Sequence, residues 1–250
     1  MKARERILLG RIRFRKENEM VWARVHRRRE FLKLAALSVA GLTTTGARGL
    51  GQAQREAIQR PETPEHALSL LVDGNQRFVA QNLVSFREDL DILKAHSAEH
   101  QEPFAAVLSC ADSRVPVELV FDQSIGHLFV VRVAGNVATP DTIASLEYGA
   151  AVLGTKAILV LGHTNCGAVK ATMAGKAVPG QISTLYQYIH PAIAGAKGDL
   201  TTASRQNARL QASVLSETSP VLGDLIKEKK LAIRAGLYDV GSGKVTVIEA

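Results

Sequence analysis

The sequence is short of several things, and each shortage removes a class of protein. It holds two cysteines in 250 residues, so at most one disulfide can form within the chain. It holds one tryptophan, Trp22, close to the N-terminus. It has no internal repeat and no low-complexity tract, which sets aside solenoids and biased linkers. No apolar run is long enough to span a bilayer: the uncharged stretch Leu34–Ala47 has 14 residues, where a helix crossing a ~30 Å hydrocarbon core needs ~20. The formal charge of +7 suggests a basic protein, but residues 1–53 carry 13 Lys and Arg against 4 acidic residues, and residues 54–250 net −2. A nucleic-acid-binding domain needs a basic face on its folded part, and none is offered.

The positive N-terminus has its own explanation. Arg28-Arg29-Glu30-Phe31-Leu32-Lys33 precedes the uncharged stretch, and small residues follow it. That order of basic head, apolar stretch and small residues is the layout of an export signal, and the paired arginines resemble a twin-arginine leader. Arg27 stands where that motif prefers Ser or Thr. The expectation is a leader over 1–53, a polar linker over 54–62 and a single domain over 63–250, exported to a bacterial periplasm. Cleavage fits after Ala47 or Ala53, and an uncleaved leader would tether the protein to the membrane. No cysteine follows the apolar stretch to carry a lipid. Residues 1–19 look surplus, and Met20 as the start would give a head of ordinary length.

Beyond the leader, apolar runs of strand length alternate with helical patterns. Residues 104–109, 127–134 and 157–162 read as strands, the first and last buried on both faces. Residues 231–240 and 244–250 flank Gly241-Ser242-Gly243 as a hairpin. Helices are expected over 64–81, started by Thr63 and Pro64, over about 88–98, over 139–154, and over 181–195, 202–217 and 219–229. Leu68, Leu71, Val72, Phe78 and Val79 form the apolar stripe of the first. The pattern predicts an α/β fold: a mostly parallel central sheet wrapped by helices, its last strand antiparallel.

The two cysteines stand where such a sheet binds ligands, outside the carboxyl ends of its strands. Cys110 closes one apolar run, and Cys166 follows another, three residues after His163. A disulfide, two buried unpaired thiols, and a metal site of two thiolates and one imidazole all fit that placement. Asp112 and Arg114 favour the metal. If the strand continued through them, Cys110, Asp112 and Arg114 would face one side, with the guanidinium forked onto the carboxylate. Such a carboxylate can orient water on a metal with an open fourth position. A structural salt bridge is the plainer reading of the pair.

Cys110-Ala111-Asp112-Ser113-Arg114 together with His163-Thr164-Asn165-Cys166-Gly167 resembles the zinc motifs of the β-class carbonic anhydrases. Residues 74–78, 113–123, 129–136 and 145–154 resemble further segments of that family, so the resemblance runs from about 64 to 250. It implies one Zn2+ per chain on Cys110, His163 and Cys166, and a zinc-bound hydroxide that attacks carbon dioxide to give bicarbonate. It assigns Asp112 to orient the hydroxide and Arg114 to support it, and it places Gln101, Phe129, Ala134, Tyr148 and Gly167 around the substrate. Ala134 replaces a valine, which widens the pocket slightly. Gln101 fits the subgroup with an always-open zinc, and the lone Trp22 speaks against the subgroup regulated at a tryptophan-lined bicarbonate site. The resemblance also implies a homodimer with the active site at the subunit boundary and the helix over 64–81 crossing to the partner. His127 replaces an expected acidic residue, and an imidazole there could assist proton release. His96, His100 and His190 read as surface residues. Two alternatives share the scaffold: turnover of carbon disulfide or carbonyl sulfide, and a non-catalytic zinc-bearing binding or assembly protein.

Overall fold

The computed structural model describes residues 61–85 and 100–248. The leader, most of the linker, the expected helix over 88–98 and His96 lie outside the described residues. In chain order the elements are α1 (Pro64–Val79), β1 (Ala105–Ser109), the single turn α2 (Val117–Val120), β2 (Leu128–Arg132), α3 (Pro140–Glu147), β3 (Ala157–His163), α4 (Gly167–Ala174), α5 (Tyr186–Ile193), α6 (Leu200–Thr218), α7 (Pro220–Lys227), β4 (Ala232–Tyr238) and β5 (Val245–Ile248). The sheet order is β2-β1-β3-β4-β5. β1 pairs in parallel with β2 and β3, β3 pairs in parallel with β4, and β5 returns antiparallel to β4. This is the predicted sheet, wrapped by helices. Among the described residues no helix is long and apolar enough to cross a membrane.

The central strands are continuous apolar runs because both faces are covered. Every residue of β1 and β3 is buried. Alternate side chains enter opposite layers: Ala106, Leu108, Ile158 and Val160 pack with Leu215 and Leu222. Ala105, Val107, Leu159 and Leu161 pack with Leu71, Val120 and Phe121. β2, at the edge, is only half-buried.

α1 begins as predicted: Thr63 accepts the His66 amide at 3.2 Å and Pro64 occupies the first turn. Its buried face differs from the predicted stripe, for it turns Ala67, Leu71, Gly74 and Asn75 inward and leaves Val72 and Val79 exposed. Close approach selects that face. A Cβ on Gly74 would sit 1.7 Å from the Phe121 carbonyl oxygen, so only glycine lets α1 meet that loop. Asn75 then bonds the Val120 and Gly243 carbonyls and the Val245 amide, tying α1 to its own chain's α2 and to the β4–β5 hairpin.

Three expected elements come out shorter or divided. The strand over 127–134 ends at Arg132, because the chain turns through Ala134–Asn136, with Gly135 at φ 76° and Asn136 at φ 46°. The helix over 139–154 is α3 followed by a wider π turn over Tyr148–Val152. The helix over 181–195 is a 3-10 turn, Ile182–Leu185, leading into α5. α2 and α4 had no counterpart in the sequence reading. α4 is part of the site.

Candidate metal centre

Three residues that could hold a metal meet at the carboxyl end of the parallel strands. Cys110 follows β1 directly, His163 is the last residue of β3, and Cys166 caps the N-terminus of α4. β1 and β3 are hydrogen-bonded neighbours, so residues 56 apart in sequence reach one point. Cys110 Sγ, Cys166 Sγ and a His163 ring nitrogen lie within 4.8 Å of one another, and all three residues are buried. Both cysteines are free, which removes the disulfide reading for this conformation.

Each ligand is prepared by the backbone around it. His163 Nδ1 lies 2.9 Å from the Thr164 carbonyl oxygen. A carbonyl only accepts, so Nδ1 carries the proton and Nε2 presents its lone pair. Nε2 is buried with no hydrogen-bond partner, which is how a ligand nitrogen looks without its ion. Cys110 Sγ accepts the Gly135 amide at 3.3 Å and also the Asp112 amide. The Ala168 and Val169 amides at the start of α4 point at Cys166 Sγ. A side-chain hydrogen bond between the two cysteines lowers Cys110 and raises Cys166, and burial adds to the rise at Cys166. Two thiolates and one neutral imidazole are a donor set suited to zinc, and these residues fit it.

Asp112 and Arg114 sit beside the centre, though not by the predicted geometry. β1 ends at Ser109, and the chain turns at 112–115 instead of continuing extended. In that turn Asp112 Oδ1 accepts the Arg114 amide at 3.0 Å and the Val115 amide donates to the Asp112 carbonyl at 3.1 Å. The guanidinium then folds back as a fork, Nε to Oδ1 at 2.9 Å and Nη2 to Oδ2 at 2.8 Å. It also donates to the Asn165 carbonyl, at 3.1 Å. Arg114's bonds hold the Asp112 carboxyl well below the usual carboxylate range, outweighing the opposing effect of burial. Asp112 Oδ2 lies 3.8 Å from His163 Nε2, within reach of anything bound there.

The other expected pocket residues divide into two groups. Gly167 opens α4 beside Cys166 with open space where a side chain would be, and Ala134 precedes the glycine that bonds Cys110. Gln101, Phe129 and Tyr148 lie elsewhere. Phe129 pairs in register with Ala106, four residues and about 13 Å along β1 from Cys110, and Gln101 precedes the strand altogether. Tyr148 packs on Phe129 with ring centroids 6.2 Å apart and is 47% exposed. Within one chain these three do not line the centre. His127 is at the same far end, its ring 6.3 Å from that of Phe104. Sequence reasoning missed Arg132, whose side chain bonds the Cys110 and Asp112 carbonyls. The available signal was a lone charge ending an apolar run.

The comparisons agree with this geometry. A sequence model of the carbonic anhydrase family matches residues 105–245. Carbonic anhydrase 2 of Mycobacterium tuberculosis is 32% identical over 192 residues, covering 74% of this chain and 92% of that protein. The carbonic anhydrase of Mycolicibacterium smegmatis is 34% identical over 190 residues, 73% of this chain and 92% of the relative. Among solved structures, the Coccomyxa β-carbonic anhydrase in complex with acetazolamide superposes with a TM-score of 0.56 at 26% identity, covering 72% of this chain and 86% of that one. The chain belongs to the β-class carbonic anhydrases, a family of enzymes.

Proposed function

We propose that this protein is a zinc enzyme interconverting carbon dioxide and bicarbonate, with the metal on Cys110, His163 and Cys166. The observation that carries the reading is the clustering of a His163 ring nitrogen and two free thiols within 4.8 Å of one another, with the His163 Nε2 buried, unpartnered and 3.8 Å from an ionised carboxylate. When bound, zinc supplies a Lewis acid that makes a water in its open position acidic near neutral pH. The residues divide the remaining work. Two thiolates and a neutral imidazole balance a divalent charge. Asp112, ionised and acceptor-only, takes a hydrogen bond on Oδ2 and so sets the orientation of the attacking oxygen. Arg114 keeps that carboxylate charged and turned toward the centre. The N-terminus of α4 directs amide dipoles into the site, which favours the anionic product.

Gln101, Phe129 and Tyr148 serve the pocket across a subunit boundary in this reading. Support comes from their distance from their own chain's centre and from the half-buried edge strand and exposed ring they present. The unit is then a homodimer. Residues 1–53 direct export to the periplasm, a reading supported by Arg28-Arg29 ahead of the uncharged stretch.

Stopped-flow hydration of carbon dioxide by the full chain, with zinc counted on the same sample, tests the central claim. About one zinc per chain and fast hydration are expected. Zinc without hydration from near-neutral to alkaline pH refutes the activity, and turnover of carbonyl sulfide or carbon disulfide instead reassigns the substrate. No zinc, with both thiols titrating free or disulfide-bonded, overturns the metal reading.

A further inference from the structure

We propose that Arg132 is a positioning residue for the reaction, acting through Asp112. The inference rests on the carbonic anhydrase reading above. Arg132 ends β2 and pairs in register with Ser109, the last residue of β1. Its neighbours in β2 are apolar and its own side chain is exposed. That side chain makes two bonds, both to main-chain carbonyls: Nε to Cys110 at 3.1 Å and Nη2 to Asp112 at 2.6 Å. One rigid guanidinium thus spans the residue that binds metal and the residue that orients water.

The turn's other bonds show why this matters. The Arg114 amide to Asp112 Oδ1 and the Val115 amide to the Asp112 carbonyl both begin and end within 112–115. They stiffen the turn without attaching it to the sheet. Attachment comes from the Ala111 amide on the Val133 carbonyl at 3.3 Å, from Arg114 on the Asn165 carbonyl, and from Arg132. The Asp112 amide is bonded to Cys110 Sγ within the turn, and of the attachments to the rest of the fold only Arg132 reaches the Asp112 carbonyl. Asp112 Oδ2 is 3.8 Å from His163 Nε2, so a small rotation of the 111–112 peptides carries the carboxylate onto the metal or out of reach of its water. The planar fork of Arg132 fixes the spacing of the two carbonyls and therefore those peptide planes. A lysine, a point donor, cannot hold both. Because the side chain is exposed, water replaces it in a variant. Position is lost more than stability.

The test uses the full chain, loaded with zinc for kinetics and with Co(II) for visible spectra. Arg132→Met keeps the stem and removes both donors, and Arg132→Lys keeps the charge but puts its donors on one nitrogen, without the planar fork. Arg234→Met, an exposed arginine on β4, is the control. Arg132→Met is expected to lower kcat at least tenfold with KM within twofold, and to cause no further loss in an Asp112→Ala background. Arg132→Lys falls between, and the Co(II) bands move in Arg132→Met but not in the control. A kcat within twofold of wild type, or the same fold-loss with and without Asp112, overturns the proposal. If Arg132→Met does not fold, Arg132→Lys decides: a threefold or larger loss of kcat at an unchanged Tm supports the role, and wild-type kcat overturns it. If the wild type itself does not hydrate carbon dioxide, the functional reading has failed separately. The Co(II) spectrum, read without turnover, then supports the clamp if the bands move and overturns it if they do not.

Discussion

Gly135→Ala tests how the fold delivers a prepared ligand. Gly135 has φ 76° and ψ 12°, and its amide donates to Cys110 Sγ. An alanine must adopt the left-handed region there, at about 1–2 kcal/mol. Its Cβ would also stand 2.7 Å from Ile189 Cδ1 and 3.2 Å from Ala168 Cβ. The first contact is with the end of a side chain, which can shift at about 1 kcal/mol. The sum is about 2–3 kcal/mol, or about 4–12 °C in Tm for a domain of this size. Urea unfolding of the zinc-loaded protein measures it. The structure also predicts how to recover part of the loss. Ile189→Val removes Cδ1, which costs about 1 kcal/mol alone because Ile189 is fully buried. In the Gly135→Ala background the same change should be neutral or stabilising. A loss below about 1 kcal/mol for Gly135→Ala, or strictly additive losses in the pair, would refute the reasoning.

Asp112→Ala should retain about one zinc per chain by metal analysis while stopped-flow turnover falls at least a hundredfold, since in the proposed mechanism Asp112 serves the bound water and not the ion. Removing the metal with a chelator should lower Tm and restore two titratable thiols, both effects reversing on addition of zinc. Asp122 supplies a pH test away from the centre. Burial pushes its carboxyl up, but bonds from Ser85, Arg77 and the Val84 amide outweigh burial and hold it below the ordinary value. Its contribution to stability is therefore full above an unfolded pKa of about 3.9 and is lost as pH falls through the lower folded value. Asp122→Asn should be less stable than wild type at pH 7, and in urea titrations the gap should close below about pH 4.

The runs at 104–109 and 157–162 were legible because burial on both faces leaves them apolar almost to their last residue, and their ends therefore mark the ends of strands. That placed Cys110, His163 and Cys166 at the carboxyl end of the strands from the sequence alone. The predicted face of α1 was right at Leu68, Leu71 and Phe78 and wrong at Val72 and Val79, for the opposite reason. Val72 and Val79 satisfy a helical stripe, but a glycine at 74 with no room for a Cβ decides which side docks, and hydropathy does not register a close approach. Asp112 and Arg114 were correctly paired through an incorrect conformation, because an extended strand and a tight turn can both bring residues two apart together.

By itself, then, the sequence determined the strands, the longer helices within the described residues, the mostly parallel sheet and which cysteines and histidine stand at the carboxyl ends of its strands, since periodicity and side-chain chemistry are local properties. Only the tertiary structure decided that Gly135 gives its amide to Cys110, that Arg132 clamps the carbonyls of residues 110 and 112, and that Phe129 and Tyr148 lie away from the centre of their own chain. Backbone amides and carbonyls are the same in every residue, so a site that uses them leaves no letter to read. Their partners are settled only when strands from distant parts of the chain come into register.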